Sequence, residues 1–251
     1  MSALTNTLSL MQLGTAVRKL RSYDVSPTLG PSSATFLQNP RPQVRADGQH
    51  STHGAASNIW EIHEHTGSHV DAPFHFDPNG LTVDELPADI LFFRPFKKFD
   101  LTTYDLKPGE PADRDLLIEA GNRGGFSALE NGDVAVIDFG WDRYLPDGSD
   151  AREEGWWGRN QPGLSDDACD YLATAGVAAV ASDTAACDIS MNDGQMVGGA
   201  GHGHYFLPNG ILIVEGLRGL TEVPPEGLFV ALPLKLAEGT ASPVRVLLLA
   251  D

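Results

Sequence analysis

Apolar and polar positions along this chain mark out strands first and helices second. Residues 133–139 (Asp-Val-Ala-Val-Ile-Asp-Phe) follow the turn Asn131-Gly132 and predict a buried strand. Val177 to Ser182, Gly210 to Val214, Phe229 to Leu236 and Val244 to Leu249 carry the same apolar signature. Trp60 to His65 alternates and predicts a strand that delivers His65 to the loop beyond it. Helical spacing is rarer. Leu8, Met11, Leu13, Val17 and Leu20 predict an amphipathic helix, with Lys19 and Arg21 suited to its last turn, before a short strand at Tyr23 to Ser26. Ser165 is the expected N-cap of a helix over Asp166 to Ala175, with acidic residues in its first turn and Gly176 at its end. Pro27 to Gly54 shows no periodicity and reads as a long ordered loop, a feature often functional in a compact domain. Strands dominate and helices alternate with them, so the predicted class is mixed α/β. The chain shows no repeat, charged tail or clean linker. Residues 1–251 are therefore expected to form a single domain, with residues 1–22 as an N-terminal helical extension.

Charge and cysteine content narrow the function classes. A net charge of -17 argues against nucleic acid or an anionic membrane surface as partner, while leaving a small-molecule substrate open. Cys169 and Cys187 are too few for a disulfide framework and read as buried thiols of a reducing compartment. The first residues lack an early basic region and an unbroken apolar run, and no stretch approaches the length of a membrane-spanning helix. A cytoplasmic location is the expectation.

The eight histidines fall in two windows, 50–75 and 202–204. Residues placed for packing would not cluster in this way. The denser stretch reads His65-Thr66-Gly67-Ser68-His69-Val70-Asp71-Ala72-Pro73-Phe74-His75-Phe76. Gly67 and Pro73 oppose a helix, so His65 and His69 are expected around a strand end and a tight turn. Asp71, two residues after His69, would point its carboxylate to the same side. Two neutral imidazoles and one carboxylate bind a divalent cation while leaving positions open for water and substrate, the pattern of a catalytic ion. His75 is a fourth ligand or a free base beside the metal. His50 and His53, in the polar loop, are expected to face solvent, and His63 belongs to the preceding strand. Competing motifs fail. His63-Glu64 has Gly67 where a zincin helix needs its second histidine. There is no Gly-x-Ser-x-Gly elbow, and the glycines at 198, 199, 201 and 203 do not give the dinucleotide-binding spacing.

The stretch from His65 to Phe76 closely resembles the signature of the cyclase-like metal-dependent hydrolases, the family of the bacterial kynurenine formamidases and isatin hydrolases, with Ser68 where the family usually has Thr. Tyr23-Asp24-Val25-Ser26, Glu130-Asn131-Gly132-Asp133, Gly140-Trp141, Pro162-Gly163-Leu164-Ser165 and Gly210 to Leu217 are similar to further family landmarks in the same order. The resemblance implies a swivelling β/β/α domain, a mixed sheet with few helices, and a homodimer or higher homo-oligomer. It implies His65, His69 and Asp71 as metal ligands, with Asp71 able to bridge two ions. It adds Glu215 and a C-terminal histidine, His204 in preference to His202. It makes His75 the general base or acid. The cofactor is then one or two divalent ions, Zn2+ or Mn2+, since imidazole with carboxylate accepts either.

Such an ion lowers the pKa of bound water from about 15.7 toward about 7. The expected reaction is hydrolysis of a carbon–nitrogen bond in an aryl formamide or an isatin-like lactam, with Trp60, Phe74 and Trp157 as aromatic walls for the substrate. Glu64 or Glu61 is placed to orient a ligating histidine. The alternatives are a lactonase that keeps the metal and changes the bond, and a metal-binding protein without turnover.

Overall fold

The computed structural model describes residues 9–37, 39–126 and 128–251. Its strands of three or more residues run β1 (Arg21–Asp24), β2 (Gln43–Gly48), β3 (Ser57–Glu61), β4 (His69–Asp71), β5 (Phe92–Asp100), β6 (Val134–Asp138), β7 (Ala179–Ser182), β8 (Leu212–Glu215), β9 (Glu226–Val230), β10 (Ala241–Pro243) and β11 (Leu247–Ala250). Three longer helices accompany them: α1 (Leu10–Val17), α2 (Arg114–Gly124) and α3 (Asp166–Ala175). All the strands except β2 and β3 join one nine-stranded sheet, in the order β1-β11-β9-β5-β6-β7-β8-β4-β10. Strands β5 to β8 pair in parallel, and antiparallel strands extend the sheet on both sides. The predicted mixed α/β class is what the sheet displays.

Alternation along the central strands explains why they are apolar throughout. Ala135, Ile137, Val180 and Ile213 pack with Leu117, Trp141, Cys169 and Leu172 on the helix side. Val134, Val136, Ala179, Ala181, Leu212 and Val214 turn to the other face and meet Phe96, Phe229 and Leu248. A strand covered on both faces has no polar side to show, so it reads as a continuous apolar run. β4 obeys the same rule: Val70 joins the second cluster, which sends His69 and Asp71 to the helix side.

Several expectations shift. α1 is shorter than the Leu8 to Leu20 pattern, and residues 1–8 lie outside the described residues. It opens on a capping box in which Ser9 and Gln12 bond each other's backbone N–H groups. The stretch Pro27 to Gly54 is not all loop: β2 lies within it and pairs with β3 in a hairpin separate from the main sheet, and His50 and His53 sit exposed on a helical turn between the two strands. β3 ends at Glu61, short of the predicted His65, and the run from Phe229 to Leu236 is strand only to Val230. β5, α2 and β10 lie where the pattern predicts no element. β5 is masked by Pro95, Lys97 and Lys98 within the strand. α3 matches the expected residues and closes on Gly176 at φ 75°, but Ser165 does not cap it. The Ser165 hydroxyl bonds Ala112 O and the Asp167 carboxylate instead. Among the described residues no helix is long and apolar enough to cross a membrane.

At the end of β6, Asp138 is buried, with its Oδ2 3.7 Å from Lys98 Nζ and without a hydrogen bond. Burial pushes its carboxyl up to about 6, with Lys98 opposing. The folded protein therefore keeps this proton between the ordinary value of 3.8 and about 6, where the unfolded chain has lost it. The stabilisation is full below that window and is lost as pH rises through it. Asp138→Asn is expected to flatten the fall of Tm across the window relative to wild type, at about 2–4 °C per kcal/mol. Parallel pH profiles of thermal unfolding check it; identical slopes would refute it.

Candidate metal centre

Three backbone features bring the site together. Gly67 turns the chain at φ 63°, a left-handed conformation that a side chain resists, and a Cβ there would lie 2.2 Å from Leu29 Cδ2. Strand β4 follows at once and pairs antiparallel with β8, so that Glu215 stands directly opposite His69 and Ile213 opposite Asp71. On its other edge β4 pairs with β10, which places Thr240 next to the site. The cluster thus lies at the carboxyl end of β8, on the helix-side face, where α/β sheets commonly bind ligands.

His69, Asp71, Glu215 and His202 are buried, and His65 is nearly so. His65 Nδ1 lies 2.8 Å from Asp71 Oδ1, and His69 Nε2 is 3.4 Å from both Asp71 Oδ1 and Glu215 Oε2. His202 Nε2 lies 3.5 Å from Asp71 Oδ2 and 3.2 Å from Glu215 Oε1. Each imidazole is tied at its other nitrogen. His69 Nδ1 donates to Gly67 O at 2.9 Å, and His202 Nδ1 bonds Asp188 Oδ1. For His65 the tie is a relay. The Thr240 hydroxyl donates to Glu64 Oε1 at 2.5 Å, so its oxygen accepts from His65 Nε2 at 3.0 Å. Three imidazoles therefore turn a ring nitrogen toward two carboxylates. Both Asp71 oxygens are buried without a well-aligned hydrogen bond, despite these short contacts. A carboxylate buried that way, ringed by nitrogen donors, is a fit for a divalent cation.

The electrostatics say the same. Burial would raise the Asp71 carboxyl, but His69 and the close His202 and His65 rings hold it well below the usual carboxylate range. Burial would lower His69, and Asp71 and Glu215 outweigh it, raising the imidazole to about 9. His202 is likewise raised, by Asp188, Asp71 and Glu215 against burial. In the absence of a metal the carboxylates draw protons onto these rings. His75 behaves oppositely: partial loss of water around its ring, then the His65 and His202 imidazoles, push it down to about 4 against the pull of Asp71. It stands exposed at the mouth, its ring 4.1 Å from that of His65, and His65, Asp71 and His75 offer donor atoms within 4.8 Å of one another.

A cavity of about 460 Å³ opens over the cluster, with Phe36, Asn39, Phe76 and Ile189 among its walls. His63 and Glu64 also line it. Glu64 accepts from Thr240 N and Ala241 N as well as from the Thr240 hydroxyl, bonds that outweigh burial and lower its carboxyl. The two carboxylates considered for orienting a histidine thus separate, because Glu61 sits exposed on β3.

Two groups of predicted residues are placed elsewhere. His204 is exposed and packs on Tyr205, with ring centroids 4.7 Å apart, whereas His202 faces the carboxylates. Both belong to the π-helical turn Gly201–Tyr205, where residues two apart point to roughly opposite sides, so only one can face inward. Trp60, Phe74 and Trp157 are all off the cavity wall. Trp60 is exposed on the hairpin, Phe74 faces outward beside His75, and Trp157 is buried in the core behind Gly67. Phe36 and Asn39, from the long stretch before β2, and Asp188 and Thr240 are site residues that sequence reasoning missed. The legible trace of Asp188 is Gly201, where a Cβ would lie 2.7 Å from Asp188 Cβ.

Residues 23–189 match the Cyclase ("Putative cyclase") family, and the chain belongs to it. It is 29% identical over 229 residues to a kynurenine formamidase of Salinibacter ruber, covering 90% of this chain and 95% of that one. It is 25% identical over 245 residues to an isatin hydrolase of Roseibium aggregatum, covering 90% of each. An isatin hydrolase crystal structure with the product analogue thioisatinate superposes with a TM-score of 0.81 at 23% identity over the whole of both chains. The fold is therefore the one the resemblance implied.

Because protons occupy the rings that a cation needs, metal binding is expected to release them. Apparent affinity for Zn2+ or Mn2+ should rise as pH climbs toward about 9, the value for His69. Titration calorimetry in buffers of differing ionisation enthalpy checks this; pH-independent affinity would contradict it. His202→Ala should weaken metal binding strongly, and His204→Ala should leave it unchanged. Equal effects of the two would overturn the assignment of His202 as the inward-facing ring.

Proposed function

We propose that this member of the Cyclase family is a metal-dependent amidohydrolase that opens a carbon–nitrogen bond in an aryl formamide or an isatin-like cyclic amide. The observation that carries the reading is Asp71, buried without aligned hydrogen bonds among imidazoles whose orientation other groups fix. His65, His69, Asp71, His202 and Glu215 would together hold one or two divalent ions, Zn2+ or Mn2+. The relatives lend the substrate class: one is a kynurenine formamidase and another an isatin hydrolase.

The bound ion supplies an acidified water and a Lewis acid for the substrate carbonyl. The protein supplies the rest. His75, held near 4 and so neutral at pH 7, accepts the proton of the nucleophile and passes it to the departing nitrogen. Its ring stands 4.1 Å from that of His65, beside the carboxylate cluster. Phe36 and Phe76 give the cavity aromatic surface for a flat ring, and Asn39 offers an amide for a polar substituent. The reading treats residues 1–251 as one catalytic domain with residues 1–22 as an extension, working in the cytoplasm as a homodimer. The hairpin, with Val44, Ile59 and Trp60 each about two-fifths exposed, supports self-association through its apolar ribbon.

The test is a panel of aryl formamides, lactams and lactones assayed with metal-loaded protein. Amide turnover abolished by a chelator and restored by metal is the expected result. His69→Ala should lose metal and turnover together. His75→Ala should retain the metal while kcat falls by roughly 100-fold or more. Release of metal by His75→Ala would reassign it as a ligand, and turnover of lactones alone would change the bond cleaved.

A further inference from the structure

We propose that Asp188 is a positioning residue that fixes His202 in the tautomer a metal ligand requires, an inference that rests on the metal centre proposed above. Asp188 is 1% exposed and lies in the segment after β7. It grips His202 twice: Oδ1 bonds the ring Nδ1, and Oδ2 accepts the His202 backbone N–H at 3.0 Å. The backbone donor has no choice of role, so one carboxylate oxygen is committed to it. The other oxygen can only accept, which puts the imidazole proton on Nδ1. The lone pair is thereby left on Nε2, the atom 3.2 Å from Glu215 Oε1 and 3.5 Å from Asp71 Oδ2.

The grip is built into the backbone. At Gly201 a Cβ would fall 2.7 Å from Asp188 Cβ and 2.8 Å from its Cγ, and at Gly163 it would fall 2.8 Å from the Asp188 carbonyl carbon. Neither position leaves Asp188 room to shift. The preceding residue serves the same end, because the Cys187 N–H donates to Glu215 Oε1 at 3.1 Å. One short segment thus orients both donors from the C-terminal half of the chain. Its action reaches the reaction through His202, so Asp188 is not itself a catalytic residue.

Asp188→Asn is the discriminating variant because it preserves shape. Its single oxygen must serve the backbone N–H, so its amide N–H2 faces Nδ1 and drives the ring proton onto Nε2, toward the ion. The outer partners of metal-bound histidines are worth about 10–100-fold in affinity. Calorimetric titration of chelator-stripped protein with Zn2+ should show that loss for Asp188→Asn, with near-ultraviolet circular dichroism like that of wild type. Wild-type affinity in the variant would overturn the inference. Absence of Zn2+ binding by the wild type would overturn the metal-centre reading itself. Should the variant not fold, long-range 15N–1H correlation spectra of Zn2+-loaded wild type decide: Nδ1–H with an unprotonated Nε2 at His202 is expected, and an Nε2–H signal refutes it.

Discussion

Two carboxylates, Asp71 and Glu215, are held in a dry pocket with oxygen atoms within 4.8 Å of each other. At an effective dielectric near 20 that repulsion is roughly 3.5 kcal/mol or more. It must be answered by positive charge, and the structure has two ways of doing so. Protons on His69 and His202 serve when nothing else is present, and a divalent cation would supply two positive charges in their place. The histidines are thus counter-ions in this structure and would become ligands once a cation entered. That exchange is the constraint on which the local architecture rests.

Strand pairing delivers the geometry. A side-chain period of two along β4 sends His69 and Asp71 to one face and Val70 to the other, and the register with β8 sets Glu215 across from His69. The imidazoles are then oriented by three unlike devices. A carbonyl of the Gly67 turn holds His69, a hydroxyl relay from Glu64 holds His65, and a carboxylate holds His202. Glu64 and Gly67 share the loop before β4, whereas Thr240 and Asp188 lie on two other stretches, so no single loop carries the whole arrangement.

How much of this was legible in the sequence differs by distance along the chain. His65, His69 and Asp71 are near neighbours, and their spacing around Gly67 and Pro73 already implied convergence on one side. Glu215 came through the family resemblance, matched by the apolar strand that precedes it. His202 against His204 was not, because two residues separate them and only the path of the π-helical turn decides which faces inward. Trp60, Phe74 and Trp157 mislead for a general reason: an aromatic residue suits a core, a hairpin and a substrate wall equally well, and one-dimensional pattern does not separate the three. The apolar central strands β6 and β7 were plain, whereas β5 hid behind Pro95 and two lysines, and β2 behind a stretch without periodicity.

Chemistry and selectivity have separate supports in this molecule. The carboxylate–imidazole cluster depends on the alignment of β4 with β8, where a slip of β4 by one residue would turn His69 and Asp71 away from Glu215 into the opposite core. Phe36, Asn39, Ile189 and Phe76 stand on connecting segments that no strand pairing constrains. Sequence drift in those segments can reshape what enters the cavity while the reactive centre stays as it is. A scaffold divided in this way can acquire new substrates by exchanging loops alone.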